Sequence, residues 1–292
     1  MPPVRGSPGM AEFSLVAPRT VDAAIAELRS HAAHEAAVLA GGTDLLFDLD
    51  HGRAPPRTVV SLRRLPWRTL DWTDGVLTVG STLPLRSLEL DPDLATRLPA
   101  LAQAVRAVGG IALRARATLG GNLGRSAPAS DLLPALLVLD AEVDLVGPEG
   151  NRTVPVDRFL KASRETVLGR AELIRAVRFP EPRPSAYAWQ RVRPVNDISQ
   201  VSVAAAYSPR DRQWRVALGG VPPRTIRVPD AEASLRGARP DAEEVAHGAD
   251  RMGRHPALVG DRRASDEYRR RLASALFTRA VAAAVAPGGG RP

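Results

Sequence analysis

Two short stretches carry residue types that can hold an anion without a basic side chain. The first is Val38-Leu39-Ala40-Gly41-Gly42-Thr43-Asp44-Leu45, an apolar run ending in two glycines, a hydroxyl and a carboxylate. The second is Thr118-Leu119-Gly120-Gly121-Asn122. Glycine reaches backbone angles closed to other residues, so paired glycines can aim consecutive N–H groups into one concavity and let a phosphate approach the main chain. Thr43 adds a hydroxyl donor, and Asn122 an amide that serves either oxygen or nitrogen. Either glycine pair alone is accounted for by a simple change of chain direction. Two of them, each behind an apolar stretch and each followed by a polar side chain, point to a clamp on a pyrophosphate.

Other chemistries lack their residues. The single lysine, Lys161, sits in Phe-Leu-Lys-Ala, so no Walker phosphate loop exists, and no GxGxxG follows the first strand. His31 and His34 are accompanied by no HExxH, and His51, His247 and His255 stand alone, which favours surface or capping roles over metal ligation. No Gly-x-Ser-x-Gly elbow supports a hydrolase triad. Zero cysteines remove disulfides, thiolate zinc sites, cysteine nucleophiles and any iron–sulfur cluster ligated by this chain alone. The net charge of +8 is carried by scattered arginines, and with 4% aromatic residues there is no basic stripe with interleaved rings to bind nucleic acid.

The elements that must position the glycines follow from periodicity. Residues 20–33 read as an amphipathic helix capped by Thr20, followed by a strand at 37–40, the glycine turn, and a strand at 58–62. Asp74-Gly75 marks a hairpin between 69–72 and 76–80. A helix over 98–108 stops at Gly109-Gly110. Residues 111–131 read as irregular, rich in small residues, and lead into an apolar helix at 131–139 whose first turn carries Asp131. A second hairpin turns at 148–151, and a strand ends at Pro180. The prolines of Glu-Pro-Arg-Pro-Ser, 181–185, suit a linker. Strands near 187–193, 199–207 and 214–221, then helices near 229–236, 241–251 and 265–285, predict an α+β second domain.

A chain of 292 residues suggests two domains able to enclose a large ligand between them. No apolar run approaches the ~20 residues of a membrane span. The first residues lack the apolar core of a signal peptide, so a flexible leader and a cytoplasmic protein are expected.

The stretches LAGGTDLL and LRARATLGGNLGRSAPASDLLPALLVLDAEV resemble the FAD-binding subunit of molybdenum hydroxylases, the xanthine dehydrogenase and carbon monoxide dehydrogenase medium chain. The similarity continues through ELIRAVRFP, YAWQRVRPVNDISQVSVAAAY and SDEYRRRLASALFTRAV. It implies an α+β fold: an FAD-binding PCMH-type domain at 11–181, shared with vanillyl-alcohol oxidase and split into subdomains at about 11–66 and 67–181. A CO dehydrogenase flavoprotein C-terminal domain would follow at 185–287, with flexible ends at 1–10 and 287–292.

Carried over by position, the resemblance implies that Val38, Leu39, Ala40, Gly41, Gly42, Thr43, Asp44 and Leu45 wrap the FAD pyrophosphate. Thr118, Leu119, Gly120, Gly121 and Asn122 would form the second wall. Val108 would be a contact before that wall, Asp131 would bond the ribose or adenylate end, and Ile174 would pack on the cofactor. Gln190 or Arg191 would supply the family's basic contact. Ala112, Ala115 and Ala117 replace a glutamine, an asparagine and a glycine of the family pattern, while Arg114 and Arg116 remain. Tyr268 and Arg269 are read as fold-stabilising.

The implied function is electron transfer by non-covalent FAD. Molybdenum cofactor would sit on a large partner subunit and [2Fe-2S] clusters on a small one, in a dimer of heterotrimers, and the external acceptor would meet FAD in the cleft between the domains. Two alternatives are a free-standing vanillyl-alcohol-type flavin oxidase and an assembly protein that has lost its flavin.

Overall fold

The computed structural model describes residues 12–32, 35–51, 54–193 and 197–286. The expected flexible ends, 1–10 and 287–292, and His34 lie outside them. The first unit alternates strand and helix: β1 (Ser14–Val16), α1 (Val21–Arg29), β2 (Ala36–Leu39), α2 (Leu45–Asp50) and β3 (Thr58–Ser61). Its sheet has the order β1-β3-β2, with both pairs parallel. Thr20 caps α1 by accepting from the Ala23 N–H at 3.2 Å, and Ala24 and Ile25 bury its apolar face. The small core beneath contains Val60, Leu62, Leu65 and Trp67, and it is completed from far along the chain by Ala171 and Leu173. Two local expectations change: a short helix, α2, follows the glycines, and His31 lies beyond α1, bonded to Glu27 at 3.1 Å.

The second unit starts with the expected hairpin, β4 (Leu70–Thr73) and β5 (Val76–Gly80). Asp74 and Gly75 both take positive φ, 51° and 82°, which matches the twist of a two-residue hairpin loop. Helices α3 (Leu85–Glu89), α4 (Leu94–Arg97), α5 (Pro99–Ala107), α6 (Ile111–Arg114), α7 (Leu119–Arg125) and α8 (Leu132–Val138) follow. The stretch expected to be irregular is therefore largely helical. Strands β6 (Glu142–Gly147) and β7 (Gly150–Pro155), α9 (Val156–Phe159), the short pair β8 (Leu160–Ala162) and β9 (Glu165–Thr166), and β10 (Leu173–Phe179) complete the unit. The large sheet is antiparallel in the order β4-β5-β10-β6-β7. Leu77, Val79, Val143, Val177 and Phe179 share one core with the apolar faces of α5 and α8.

The third unit places an antiparallel sheet before its helices: β11 (Ser185–Gln190), β12 (Val201–Ser208), β13 (Gln213–Gly219), β14 (Ile226–Arg227), α10 (Pro229–Glu232), α11 (Ala242–Gly253) and α12 (Asp266–Val285). Strand β12 is buried along its whole length. Val203, Ala205 and Tyr207 pack with Phe277 and Ala280 of α12, while the alternate residues Ala204 and Ala206 join the core of the second unit. A strand covered on both faces reads as an unbroken apolar run. Small residues on the inner face admit α8, which buries every residue; a Cβ on Gly219 would fall 2.6 Å from Cγ of Pro134.

The segment 181–185 is a pinned joint and no loose linker. Arg183 is 4% exposed and donates to the Val138 carbonyl at 3.1 Å and to Asp140 at 2.9 Å, and Ser185 already opens β11.

Candidate cofactor-binding site

A cavity of about 420 Å³ opens between the first and second units, within the range of ligand sites. It is lined from residue 37 to residue 174, so it lies inside the amino-terminal half of the fold rather than between that half and the carboxy-terminal domain. One wall is the end of β2 and the start of α2, with Val38, Leu39, Ala40, Gly41, Gly42, Thr43, Asp44 and Leu45 all lining. Gly42 has φ +83°, a conformation that side-chain-bearing residues adopt rarely. Gly41 is crowded: a Cβ there would meet the Arg116 carbonyl oxygen at 2.0 Å. The main-chain N–H groups of Gly41, Gly42, Thr43, Asp44 and Leu45 donate in none of the hydrogen bonds among the described residues. These five consecutive donors belong to residues of the cavity lining and have no protein acceptor; the residues are only partly covered, Asp44 being exposed, so the donors stay open to solvent or to a ligand.

The opposite wall works differently from what its glycines suggest. Thr118, Gly120, Gly121 and Asn122 line the cavity, but they form the first turn of α7. Thr118 Oγ1 accepts from the Gly121 N–H at 3.0 Å, the Gly120 N–H donates to the Ser81 carbonyl at 3.3 Å, and the Asn122 N–H donates to the Thr118 carbonyl at 3.0 Å. These amides are spent. The glycines serve close packing: a Cβ on Gly120 would fall 2.5 Å from Cβ of Ser81. The donor this wall offers is the Asn122 side chain. Its Oδ1 accepts from the Ser130 hydroxyl at 2.6 Å, which leaves its NH2 for a ligand.

Val108 and Ile174 also line the cavity. Val108 ends α5, where the buried Arg114 guanidinium donates to the carbonyls of Arg106, Val108 and Gly109 at 3.3, 3.0 and 3.2 Å. Glu89 holds Arg114 with bonds of 2.8 and 3.0 Å, and this pairing keeps the Glu89 carboxyl below its ordinary range. Arg114 thus ties down backbone and leaves the cavity to others. Ile174 sits where β10 slips register against β6.

Four expected contacts lie elsewhere. Leu119 is fully buried in the core beneath α7. Asp131 turns its carboxylate to the carboxy-terminal domain, accepting from Tyr187, Ser199 and Arg191. Arg191 is consumed by that pair and by the Ala107 carbonyl, and Gln190 donates to the Arg191 carbonyl at 2.8 Å. Neither lines the cavity.

Sequence reading missed Ala37, Leu62, Ser81, Leu113, Ala117, Gly124, Arg125, Leu168, Glu172 and Leu173, which complete the lining. Gly124 carried a usable signal, lying three residues after Gly121 and so on the same helix face. Arg125 carried none, because its partner Asp48 is distant in sequence. Its two terminal nitrogens bond Asp48 at 2.6 and 3.0 Å, and Nε lies 3.5 Å from Asp44. The lining combines polar Thr43, Asp44, Asn122, Arg125 and Glu172 with apolar Leu39, Leu62, Leu168 and Ile174, which suits an amphipathic ligand. Among the described residues no group of three or more His, Cys, Asp or Glu could hold a metal ion, and no helix is long and apolar enough to cross a membrane.

The FAD binding domain in molybdopterin dehydrogenase matches residues 11–182, and the CO dehydrogenase flavoprotein C-terminal domain matches residues 186–284. The chain is 30% identical over 268 residues to a xanthine dehydrogenase FAD-binding subunit of Escherichia coli O157:H7, across 88% of this chain and 91% of that one. It is 27% identical over 283 residues to the carbon monoxide dehydrogenase medium chain of Hydrogenophaga pseudoflava, across 93% and 96%. The solved structure of carbon monoxide dehydrogenase from that organism, lacking the Mo-pyranopterin moiety of its molybdenum cofactor, matches with a TM-score of 0.86 at 28% identity, across 97% of this chain and 98% of that one. A cradle with unspent amides on one side and closely packed glycines on the other thus sits in a fold shared end to end with these enzymes, and the chain belongs to the FAD-binding medium-subunit family of the molybdenum hydroxylases.

Proposed function

We propose that this chain holds FAD in the cavity between its first two units, with the diphosphate on the N–H groups of Gly41, Gly42, Thr43, Asp44 and Leu45. The run of five unspent donors is the observation that carries this reading. The residues present fit the group: main-chain donors suit a dianionic linker, and the missing Cβ at Gly41 lets the two walls of the cradle close on each other at the Arg116 carbonyl. The Thr43 hydroxyl and the Asn122 NH2 add donors. Arg125, fixed by Asp48, offsets the Asp44 carboxylate that would otherwise repel the anion. Leu39, Leu62, Val108, Leu168 and Ile174 exclude water from the apolar part. When bound, FAD supplies two-electron redox chemistry, and this chain supplies binding, orientation and electrostatics.

In this reading the chain is the flavin stage of an electron relay. A chain without cysteine cannot ligate an iron–sulfur cluster through its own thiolates, so [2Fe-2S] clusters belong to a small partner and molybdenum cofactor to a large one. The assembly is a cytoplasmic dimer of heterotrimers that delivers electrons to an external acceptor. The relatives' names, FAD-binding subunit and medium chain, support a multi-subunit setting. Neither a free-standing oxidase nor a flavin-free scaffold is favoured, the second because the donor run has been kept.

Native purification tests this. The expected result is a yellow complex that releases FAD on acid treatment and contains molybdenum and iron, with the yellow chain retained when the partners are removed. A colourless chain that takes up neither FAD nor ADP would overturn the cofactor assignment, and a yellow chain isolated without metal-bearing partners would overturn the relay.

A further inference from the structure

Most polar side chains of the cavity lining already have protein partners. Asp44 pairs with Arg125 and Arg125 with Asp48, Thr118 accepts from the Gly121 N–H, Asn122 accepts from Ser130, and Glu172 holds Arg152 with two bonds of 2.7 Å. Ser81 is different. It lines the cavity and is 2% exposed, and its hydroxyl oxygen is hidden from bulk solvent with no hydrogen-bond partner among the described residues. A buried hydroxyl in that position has given up its bond to water for nothing, and native folds leave few such groups without a reason.

The main chain of Ser81 is engaged on both sides. Its N–H donates to the carbonyl of Arg175, the residue after cavity-lining Ile174, at 3.0 Å, and its own carbonyl accepts from the Gly120 N–H at 3.3 Å. A Cβ on Gly120 would fall 2.5 Å from Cβ of Ser81, so the bare backbone at 120 is what lets Ser81 lie against α7. These contacts use backbone and Cβ, and none of them uses the hydroxyl. No hydrogen bond is broken when that oxygen turns between its staggered rotamers.

We propose that Ser81 is a further cofactor-binding residue, which turns its hydroxyl into the cavity when FAD is bound and donates to an acceptor atom of the cofactor. The proposal rests on the cofactor reading above and adds to it a side chain from the turn after β5, a segment that contributes no other lining residue. FAD offers phosphate, ribityl and ring oxygens as well as ring nitrogens, and a hydroxyl can donate to any of them. The oxygen without a partner weakens the apoprotein and strengthens its complex with FAD. That opposition of signs sets Ser81 apart from a residue that serves packing alone, whose loss weakens the apoprotein as well.

The test uses the full chain stripped of flavin and titrated with FAD, followed by flavin fluorescence, with denaturant unfolding of the apoprotein recorded in parallel. Ser81→Ala keeps the Cβ and both backbone bonds and removes only the hydroxyl. It is expected to weaken FAD about three- to tenfold, the loss that one hydrogen bond brings. Its apoprotein is expected to unfold at a midpoint no lower than wild type, because the oxygen removed has no partner to lose. FAD affinity unchanged in Ser81→Ala would overturn the proposal. So would a lowered apoprotein midpoint, which would assign the hydroxyl to holding the fold. Wild-type protein that takes up no FAD would instead overturn the cofactor reading itself.

Discussion

The carbonyl oxygen of Arg116 lies 2.0 Å from where a Cβ on Gly41 would be, so the two cavity walls meet backbone to backbone. No flexible side chain can yield at that contact. Gly41→Ala must therefore push the walls apart, at a cost of about 1–3 kcal/mol for an overpacked site. The expected outcome is a loss of FAD affinity of at least about tenfold, read by equilibrium titration with flavin fluorescence.

Gly124→Ala should separate stability from binding. Gly124 lies inside α7, and a Cβ there would meet only Ile174 Cδ1, at 3.9 Å. Alanine gains about 0.8–1.0 kcal/mol over glycine within a helix. The same methyl enters the lining of the cavity. Apoprotein is expected to unfold at a higher temperature than wild type while FAD raises that temperature by less; a matched rise of both would show that Gly124 does not face the cofactor.

Thr118 caps α7 and occupies the Gly121 N–H. Thr118→Ala is expected to destabilise the apoprotein by about 1 kcal/mol, and Thr118→Ser to recover most of it. Chemical denaturation of the three apoproteins gives the comparison. Equal losses in both variants would assign the effect to the lost methyl rather than to the cap.

Acid should loosen the Val108 wall. The hydrogen bond from Arg114, the largest influence on Glu89, holds its carboxyl below the ordinary value of 4.5, and the same guanidinium holds the Val108 and Gly109 carbonyls. A depressed carboxyl stabilises the fold where it is ionised, so its contribution is intact above 4.5 and is lost as pH falls through the lower native value. FAD release is expected to rise below that point. Glu89→Gln should show weakened binding already at neutral pH and a shallower acid limb. An acid limb unchanged in Glu89→Gln would place the sensitive group elsewhere.

The parts of this fold with strong local determinants were legible in the sequence. Thr20, Asp74-Gly75 and Gly109 each impose a local geometry, a cap, a hairpin loop and a helix stop, that needs no distant partner. The alternation of units and the order of sheet and helices in the third also follow from periodicity. Residues 111–125 were misread because three glycines within seven residues argue against a helix on propensity alone. Packing against Ser81 and Ile174 outweighs that preference. At the site, the donor run at 41–45 could be anticipated from composition. The spent amides at 120–122 could not, since they depend on the Thr118 hydroxyl and on Ser81, which arrives from the turn after β5. Asp131 reads as a helix-start carboxylate, and only the fold brings Arg191 and Ser199 to it.

Leu173 and Ala171 close the core of the opening β-α unit with Ile25 and Val60. On the ribosome, that unit emerges first yet stays open until β10 has been made, roughly a hundred residues later, which at ordinary synthesis speeds is a delay of about 5–20 seconds. Its parallel strands, each of only three or four residues, spend that interval without a complete apolar floor. On the proposed reading of the site, the glycine cradle becomes able to retain a nucleotide only after the first two units have joined, and a nascent fragment ending before β10 should be protease-sensitive whatever the supply of FAD.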